Sequence, residues 1–402
     1  MDLHIVKQAD ILLPQVKDMT AWSVVACDQF TSQRDYWEAA EERVGEAPSA
    51  LRLMLPEAWL GTPRAVGARE RIGATMEDYL RRGLFTKHPD CFVYLERTQP
   101  DGRVRRGLLG ALDLERYDFD PAARLPVRAT EGTVEDRLPP RTAIRAAAPL
   151  EMPHVLVLMD DRDDRVLGCA ENARLRMKKL YDFELMLGGG RVAGWRADGP
   201  VAQAISAALD SLGDPELQRE KYGAAADNGP LTLAVGDGNH SLAAAKRWWE
   251  QLRPALSDAE WESHPARYAL VELCSIHEPA LDFEPIHRLI TDTDEGAFAA
   301  ALAKRRDEWE APGLTLGERV SAADRFCAEY IAAHGGKLDY IHGDDTAREL
   351  GSRPGCAAVL LPPVEKGGLF LSVLTGGVLP RKSFSMGTAR DKRYYLECRA
   401  IR

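Results

Sequence analysis

One segment constrains this chain more than any other: an apolar run that stops at a glycine-rich polar turn and restarts as an alanine-rich helix. Leu231-Thr-Leu-Ala-Val235 has strand character, Gly236-Asp-Gly-Asn-His-Ser241 is the turn, and Leu242-Ala-Ala-Ala-Lys246 begins the helix. Such a layout aims backbone N–H groups and the positive end of a helix at one point, where an anion is favoured. Gly238 suits a close backbone approach or a positive φ. Asp237 is placed to handle a proton or Mg²⁺, and His240 to balance charge in a transition state. Gly236, Asn239 and Ser241 complete a candidate phosphate-binding turn. The same spacing also fits a plain tight turn, with Asp237 capping the helix and His240 bonded to backbone. The turn matches neither GxxxxGK[ST] nor GxGxxG.

Four further clusters are candidates for the same site. Arg128, Glu131, Thr133, Arg137, Arg141 and Arg145 lie in one basic and carboxylate-rich stretch. Arginines there can clamp a phosphate or carboxylate bidentately, and Pro139-Pro140 predicts a stiffened loop. Asp28, with Thr31 and Ser32, follows the strand predicted at Trp22–Cys27; it reads as a helix cap or as a base at a strand end. His287 and Arg288 follow Glu284-Pro-Ile, and Arg288 has the reach for an anion. Arg381, Lys382 and Ser383 form a basic C-terminal edge ahead of the run Asp391-Lys-Arg-Tyr-Tyr-Leu-Glu397. Each cluster also has a structural reading as a charged surface or a satisfied side chain. Trp248-Trp249 on the signature helix reads as core.

Periodicity predicts the surrounding elements. Helices are expected at Tyr36 to Gly45, within Pro63 to Arg82, at Pro200 to Leu212, and at 295–310 and 318–334. Strands are expected at Cys91–Glu96 and Arg105–Leu112 as a hairpin turned by Pro-Asp-Gly102. Others are expected at Pro153–Met159, Val192–Trp195, Tyr268–Cys274, Phe283–Leu289, Ala357–Leu361 and Leu369–Leu374.

At 402 residues the chain is long for one simple core. It divides into an N-terminal α/β region at 1–120, a core with the signature at 121–291, and a C-terminal α/β subdomain at 292–402. The expected class is α+β, with a mixed-sheet core. A formal charge of −10 argues against an extended nucleic-acid surface but permits a local basic site. No apolar stretch approaches the roughly 20 residues that span a bilayer. Met1–Asp10 lacks the basic and apolar regions of a signal peptide, so a cytoplasmic location is expected. The seven cysteines form no CxxC pair, which argues against a disulfide framework or structural zinc. The oligomeric state stays open, a homo-oligomer included.

With Ala129-Thr-Glu-Gly-Thr133, Pro285-Ile-His-Arg288 and Leu379-Pro-Arg-Lys-Ser383 in the same order, the signature resembles that of the bacterial domain-of-unknown-function 1015 family. Its turn in turn resembles the Asp-Gly-His-His-Arg turn of ParB/sulfiredoxin-like proteins, a group that includes free serine kinases and nucleotide-hydrolysing partition proteins. Asp237, Gly238 and His240 match that motif, Asn239 stands for its first histidine, and Ser241 for its arginine. Arg128, Arg141 or Arg381 would then replace the missing guanidinium. The resemblance implies phosphotransfer on free serine or phosphoserine with ATP or ADP and Mg²⁺. Asp28 or Glu131 would act as base and Asp237 would hold the metal. A nucleotide-binding regulator and a non-catalytic metabolite binder are the alternatives.

Overall fold

The computed structural model describes residues 4–402; residues 1–3, on which the signal-peptide expectation partly rests, lie outside the described residues. The fold is α+β. Its centre is a mixed sheet of eleven strands among the described residues. From one edge the path runs Lys178–Glu184, Arg191–Ala197, Phe85–Thr98, Val104–Asp113, Tyr268–Ser275, Val155–Met159, Leu233–Asp237, Val127–Ala129 and Tyr117–Asp118. Val6–Lys7 and Ala9–Pro14 pair beside it. Three pairings are parallel: Tyr268–Ser275 with Val155–Met159, and Val127–Ala129 with both Leu233–Asp237 and Tyr117–Asp118.

The central strands are buried on both faces, so they read as continuous apolar runs. Alternation sends Cys91 and Val93 into one core with Trp22, Trp37 and Met76, and Phe92 and Tyr94 into the other with Ile205, Leu242 and Trp249. Trp248 and Trp249 are core, as expected. The expected hairpin forms as Phe85–Thr98 against Val104–Asp113, with Gly102 at φ 88° where the turn needs it.

A second, antiparallel sheet places Phe283–Thr291 between Lys337–His342 and Cys356–Val359, and Phe384–Met386 pairs with the start of its central strand. The C-terminal segment then returns to the main body. Tyr394–Tyr395 pairs with Val24–Val25, and Arg399–Ala400 with Leu150–Glu151.

Three expectations are corrected. The strand predicted at Trp22–Cys27 shrinks to Val24–Val25, because Asp18 accepts the Ala21 amide at 3.1 Å and caps a one-turn helix, Met19–Trp22. Leu369–Leu374 is not a strand but the start of the helix Leu369–Gly376, which buries Leu369, Phe370, Val373 and Leu374 along one face. The expected loop around Pro139-Pro140 is the helix Leu138–Ala147; both prolines sit in its first turn, where no backbone N–H is needed. All seven cysteines are free thiols. Among the described residues no helix is long and apolar enough to cross a membrane.

Candidate active-site cleft

The signature folds as the sequence suggests. Leu233–Asp237 is a strand, Asn239–Leu252 is a helix, and Gly238 joins them at φ 80°. A side chain at Gly238 would place Cβ 3.0 Å from both Val155 Cα and His154 Cδ2, so glycine is required twice over, for conformation and for space. The first intrahelical bonds run from Ser241 and Leu242 back to the Gly238 carbonyl. The amides of Asn239 and His240 precede them and have no acceptor within the helix. Asn239 and His240 both line a cleft of about 280 Å³.

The cleft is lined by side chains from distant parts of the chain: Asp28, Glu57, Glu131, Asp237, His154 and His240 among the acids and imidazoles, and Arg137, Arg141, Lys382 and Lys392 among the cations. Several are already paired. Arg141 meets Glu57 at 2.6 Å, Lys392 Nζ meets Asp237 Oδ2 at 3.1 Å, and His154 Nε2 stands 3.5 Å from Asp28 Oδ2. Arg137 and Lys382 form no salt bridge with a described carboxylate. They stay available to an incoming anion.

The acids are tuned in opposite directions. Burial pushes the Asp28 carboxyl up, but His154, Gln29 and Lys392 together outweigh it and hold the group well below the usual carboxylate range. Burial and the nearby Asp237 charge push Glu131 up against the pull of Lys382 and Arg381. His154 is pushed down by burial and lifted further by Asp28 and Asp237, so it ends above its ordinary value. Its Nδ1 lies 2.6 Å from the Tyr395 hydroxyl, which donates to Cys27 Sγ at 3.3 Å. His240 goes the other way: burial, then Arg141, Arg137 and Arg381, depress it, and its Nε2 accepts the Val134 amide at 3.2 Å. Two buried oxygens, Thr133 Oγ1 and Asn239 Oδ1, have no hydrogen-bond partner among the described residues.

A family model described as a protein of unknown function, DUF1015, matches residues 10–399. The chain belongs to this family. No curated protein matches the sequence. Among solved structures, a free serine kinase in complex with AMP is similar at 9% identity and a TM-score of 0.35, over 71% of this chain and 90% of that one. A conserved hypothetical protein from Pyrococcus furiosus is similar at 9% identity and 0.33, over 71% and 93%. SbnI with a C-terminal truncation, from Staphylococcus aureus, is similar at 10% and 0.31, over 70% and 82%. Scores this low assign no activity.

Not every sequence candidate in this DUF1015 chain reaches the cleft. Arg128 is buried on its strand, and its guanidinium donates to the carbonyls of Leu125, Asn228 and Pro230 at 3.0–3.1 Å. His287 is buried between Asp344 and the Leu361 amide, and Arg288 between Asp324 and the carbonyls of Ile286 and Lys382. The Ser383 hydroxyl is spent on the Pro380 carbonyl. Arg145 pairs with Glu151. Arg381 does not line the cleft, yet its charge reaches both Glu131 and His240. Gly236, Gly238, Asn239 and Ser241 all line it. The sequence reading missed His154, Lys392, Glu57 and His342. His154 lies inside the predicted strand Pro153–Met159 and Lys392 inside the noted run Asp391–Glu397, but neither belongs to a motif.

The expected Mg²⁺ ligand role of Asp237 is not supported by its partners. Its Oδ1 accepts the Gly238 amide at 2.9 Å and its Oδ2 faces the Lys392 ammonium. Among the described residues no group of three or more His, Cys, Asp or Glu side chains is arranged to hold a metal. The residues present do not fit a resident ion.

Proposed function

We propose that this protein is a cytoplasmic phosphotransferase acting between a nucleotide and free serine, in either direction. One observation carries the reading. Asn239 and His240, whose amides at the start of the signature helix have no acceptor within it, share a small cleft with Arg137 and Lys382, two cations without a described carboxylate partner, and with a carboxylate of raised proton affinity, Glu131. Anion binding at a helix start needs no further device, and guanidinium or ammonium groups stabilise the charge on a transferring phosphoryl group. The resemblance of the Gly236–Ser241 turn to that of free serine kinases supports serine as the acceptor.

At about 280 Å³ the cleft is just below the usual size of ligand sites, roughly 300–1,000 Å³. It suits a small amino acid and one phosphoryl group, with the nucleoside lying outside. In the forward direction the serine hydroxyl oxygen attacks the terminal phosphorus of ATP. The new O–P bond forms as the bridging O–P bond breaks, and its electron pair leaves with ADP. Glu131 takes the hydroxyl proton, since a base works best when its proton affinity approaches the working pH. Asp28, held low by His154, is the weaker base and faces the substrate ammonium. Phosphoserine with ADP retraces these steps.

The test is phosphorus NMR of the purified protein with Mg²⁺ salts in two tubes, serine plus ATP, and phosphoserine with and without ADP. Phosphoserine gained or lost supports the reading. The formation of ATP rather than inorganic phosphate separates a reversible kinase from a phosphatase. Silence in both tubes, beside an active control enzyme, overturns it in favour of a binding protein.

A further inference from the structure

We propose that Lys392 is a catalytic residue of this cleft, donating to the oxygens of the transferring phosphoryl group; the inference rests on the phosphotransfer reading above. It goes beyond the signature motif, because the lysine arrives on the C-terminal segment about 150 residues after the turn it faces.

Three observations converge on it. The first is position. Lys392 Nζ lies 3.1 Å from Asp237 Oδ2, inside the cleft lined by the helix start. Its charge is felt by Asp28 on one side and His342 on another.

The second is unspent capacity. An ammonium has three N–H donors, and among the described residues the one acceptor paired with it is Asp237. With its side chain 16% exposed, Lys392 has lost most of its water. A largely desolvated cation with donors to spare is stabilised by an anion in the cleft.

The third is the anchoring of its backbone. Three consecutive carbonyls, those of Arg390, Asp391 and Lys392, are gripped by two buried arginines of the main sheet. Arg97 donates to Arg390 at 2.7 Å and Lys392 at 3.3 Å, and Arg105 donates to Asp391 at 2.8 Å. Arg105 and Arg393 both pair with the fully buried Glu272, at 3.1 and 2.9 Å, and Arg393 also pairs with Glu397. Burying this many charges is costly unless every partner is in place. Here the network fixes one short loop whose outward product is the Lys392 ammonium. Such a fixed charge needs no rearrangement when charge develops on the phosphoryl oxygens. Asp237 is then a positioning residue that holds the ammonium, which also explains its poor fit as a metal ligand.

In the step, the acceptor oxygen–phosphorus bond forms as the bond to the departing phosphate oxygen breaks. The electron pair stays on that oxygen, and Lys392 keeps its protons throughout.

The experiment compares wild type, Lys392→Met, Lys392→Gln and Lys392→Arg in the same phosphorus NMR assay. Circular dichroism checks folding, and calorimetry measures inorganic pyrophosphate binding. Lys392→Met and Lys392→Gln are expected to lose on the order of 10²–10³-fold in kcat, as for other preorganised donors, with a smaller change in KM. Pyrophosphate should bind more weakly to both, and Lys392→Arg should recover part of each loss. An active wild type with equally active, folded Met and Gln variants overturns this inference alone. A silent wild type overturns the proposed function and this inference together. If Met fails to fold, the Gln and Arg variants decide the outcome.

Discussion

The Nε2 atom of His240 accepts a hydrogen bond from the backbone N–H of Val134, 3.2 Å away. The acceptor role leaves the ring proton on Nδ1 and makes the imidazole neutral, in keeping with the depression of its proton affinity by burial and by Arg141, Arg137 and Arg381. In this structure His240 therefore holds the loop around Val134 over the helix start rather than supplying a positive charge. Replacement by Ala strands the Val134 amide and should cost about 1 kcal/mol of stability in urea titrations. His240→Gln keeps an acceptor within reach and should lose less. The sign follows from the depressed value: this stabilisation is present above the usual pKa of 6.5 and fades as pH falls through the lower folded value. A His240→Ala deficit that is equal at pH 5 and pH 8 would contradict the neutral assignment.

Gly238 is the tightest point of the turn. Alanine there must hold φ near 80° with its Cβ 3.0 Å from the Val155 backbone. Gly238→Ala should lower stability by on the order of 1–3 kcal/mol. Because the same Cβ pushes on His154, pyrophosphate binding should weaken in the fraction that folds. A melting temperature within a degree of wild type would show that the turn relaxes freely.

Arg128 gives the opposite contrast to the cleft residues. Its guanidinium ties together three carbonyls, of Leu125, Asn228 and Pro230, from a buried strand position. A lysine ammonium in its place could satisfy fewer of them, so Arg128→Lys should cost about 1–3 kcal/mol through carbonyls left without donors. KM for phosphoserine should stay at the wild-type value. A raised KM with unchanged melting would return Arg128 to the anion site.

The turn was legible from sequence because its chemistry is local. Glycine at a positive φ, a strand before it and a helix after it are all encoded within sixteen residues. Glu131, Arg137, Arg141 and Lys382 were legible as charge clusters, and the fold brings these four to the turn. His287 and Arg288 belonged to an equally suggestive cluster, yet both are buried in the second sheet, His287 bonded to Asp344 and the Leu361 amide and Arg288 to Asp324 and two carbonyls. Nothing in a short motif separates a charged side chain that faces a cleft from one that fills a hole. His154 and Lys392 were missed for the converse reason. They become functional candidates only through pairings with Asp28 and Asp237, made across more than a hundred residues of chain. The helix at Leu369–Gly376 was misread because a short apolar run has no period that distinguishes it from a buried strand.

The Asp28–His154 pair should leave its mark on stability as a function of pH. The raised proton affinity of His154 makes its contribution full below the usual 6.5, and that contribution is lost as pH rises through the higher folded value. The lowered Asp28 makes its contribution full above the usual 3.8, lost only as pH falls through its folded value. The pair is therefore most stabilising between those two usual values. The stability gap between wild type and His154→Asn should be widest near pH 5.5 and narrow toward pH 9, as read from urea midpoints. A gap that grows with pH would mean that the histidine is neutral and that its partner is Tyr395 alone.

Glu131 offers the sharpest kinetic contrast with Asp28. Burial and the Asp237 charge raise Glu131, while His154, Gln29 and Lys392 hold Asp28 down against its own burial. If Glu131 accepts the serine proton, kcat/KM falls on the acid side with an apparent pKa above the usual carboxylate value of 4.5. Glu131→Gln should then lower kcat by about 10²–10⁴-fold and abolish that acid limb. Asp28→Asn should chiefly raise KM for serine, because its carboxylate meets the substrate ammonium rather than the hydroxyl. The reverse pattern, with kcat lost in Asp28→Asn and the acid limb intact in Glu131→Gln, would assign the base to Asp28. The elevated Glu131 would then be a consequence of burial without a role in proton transfer.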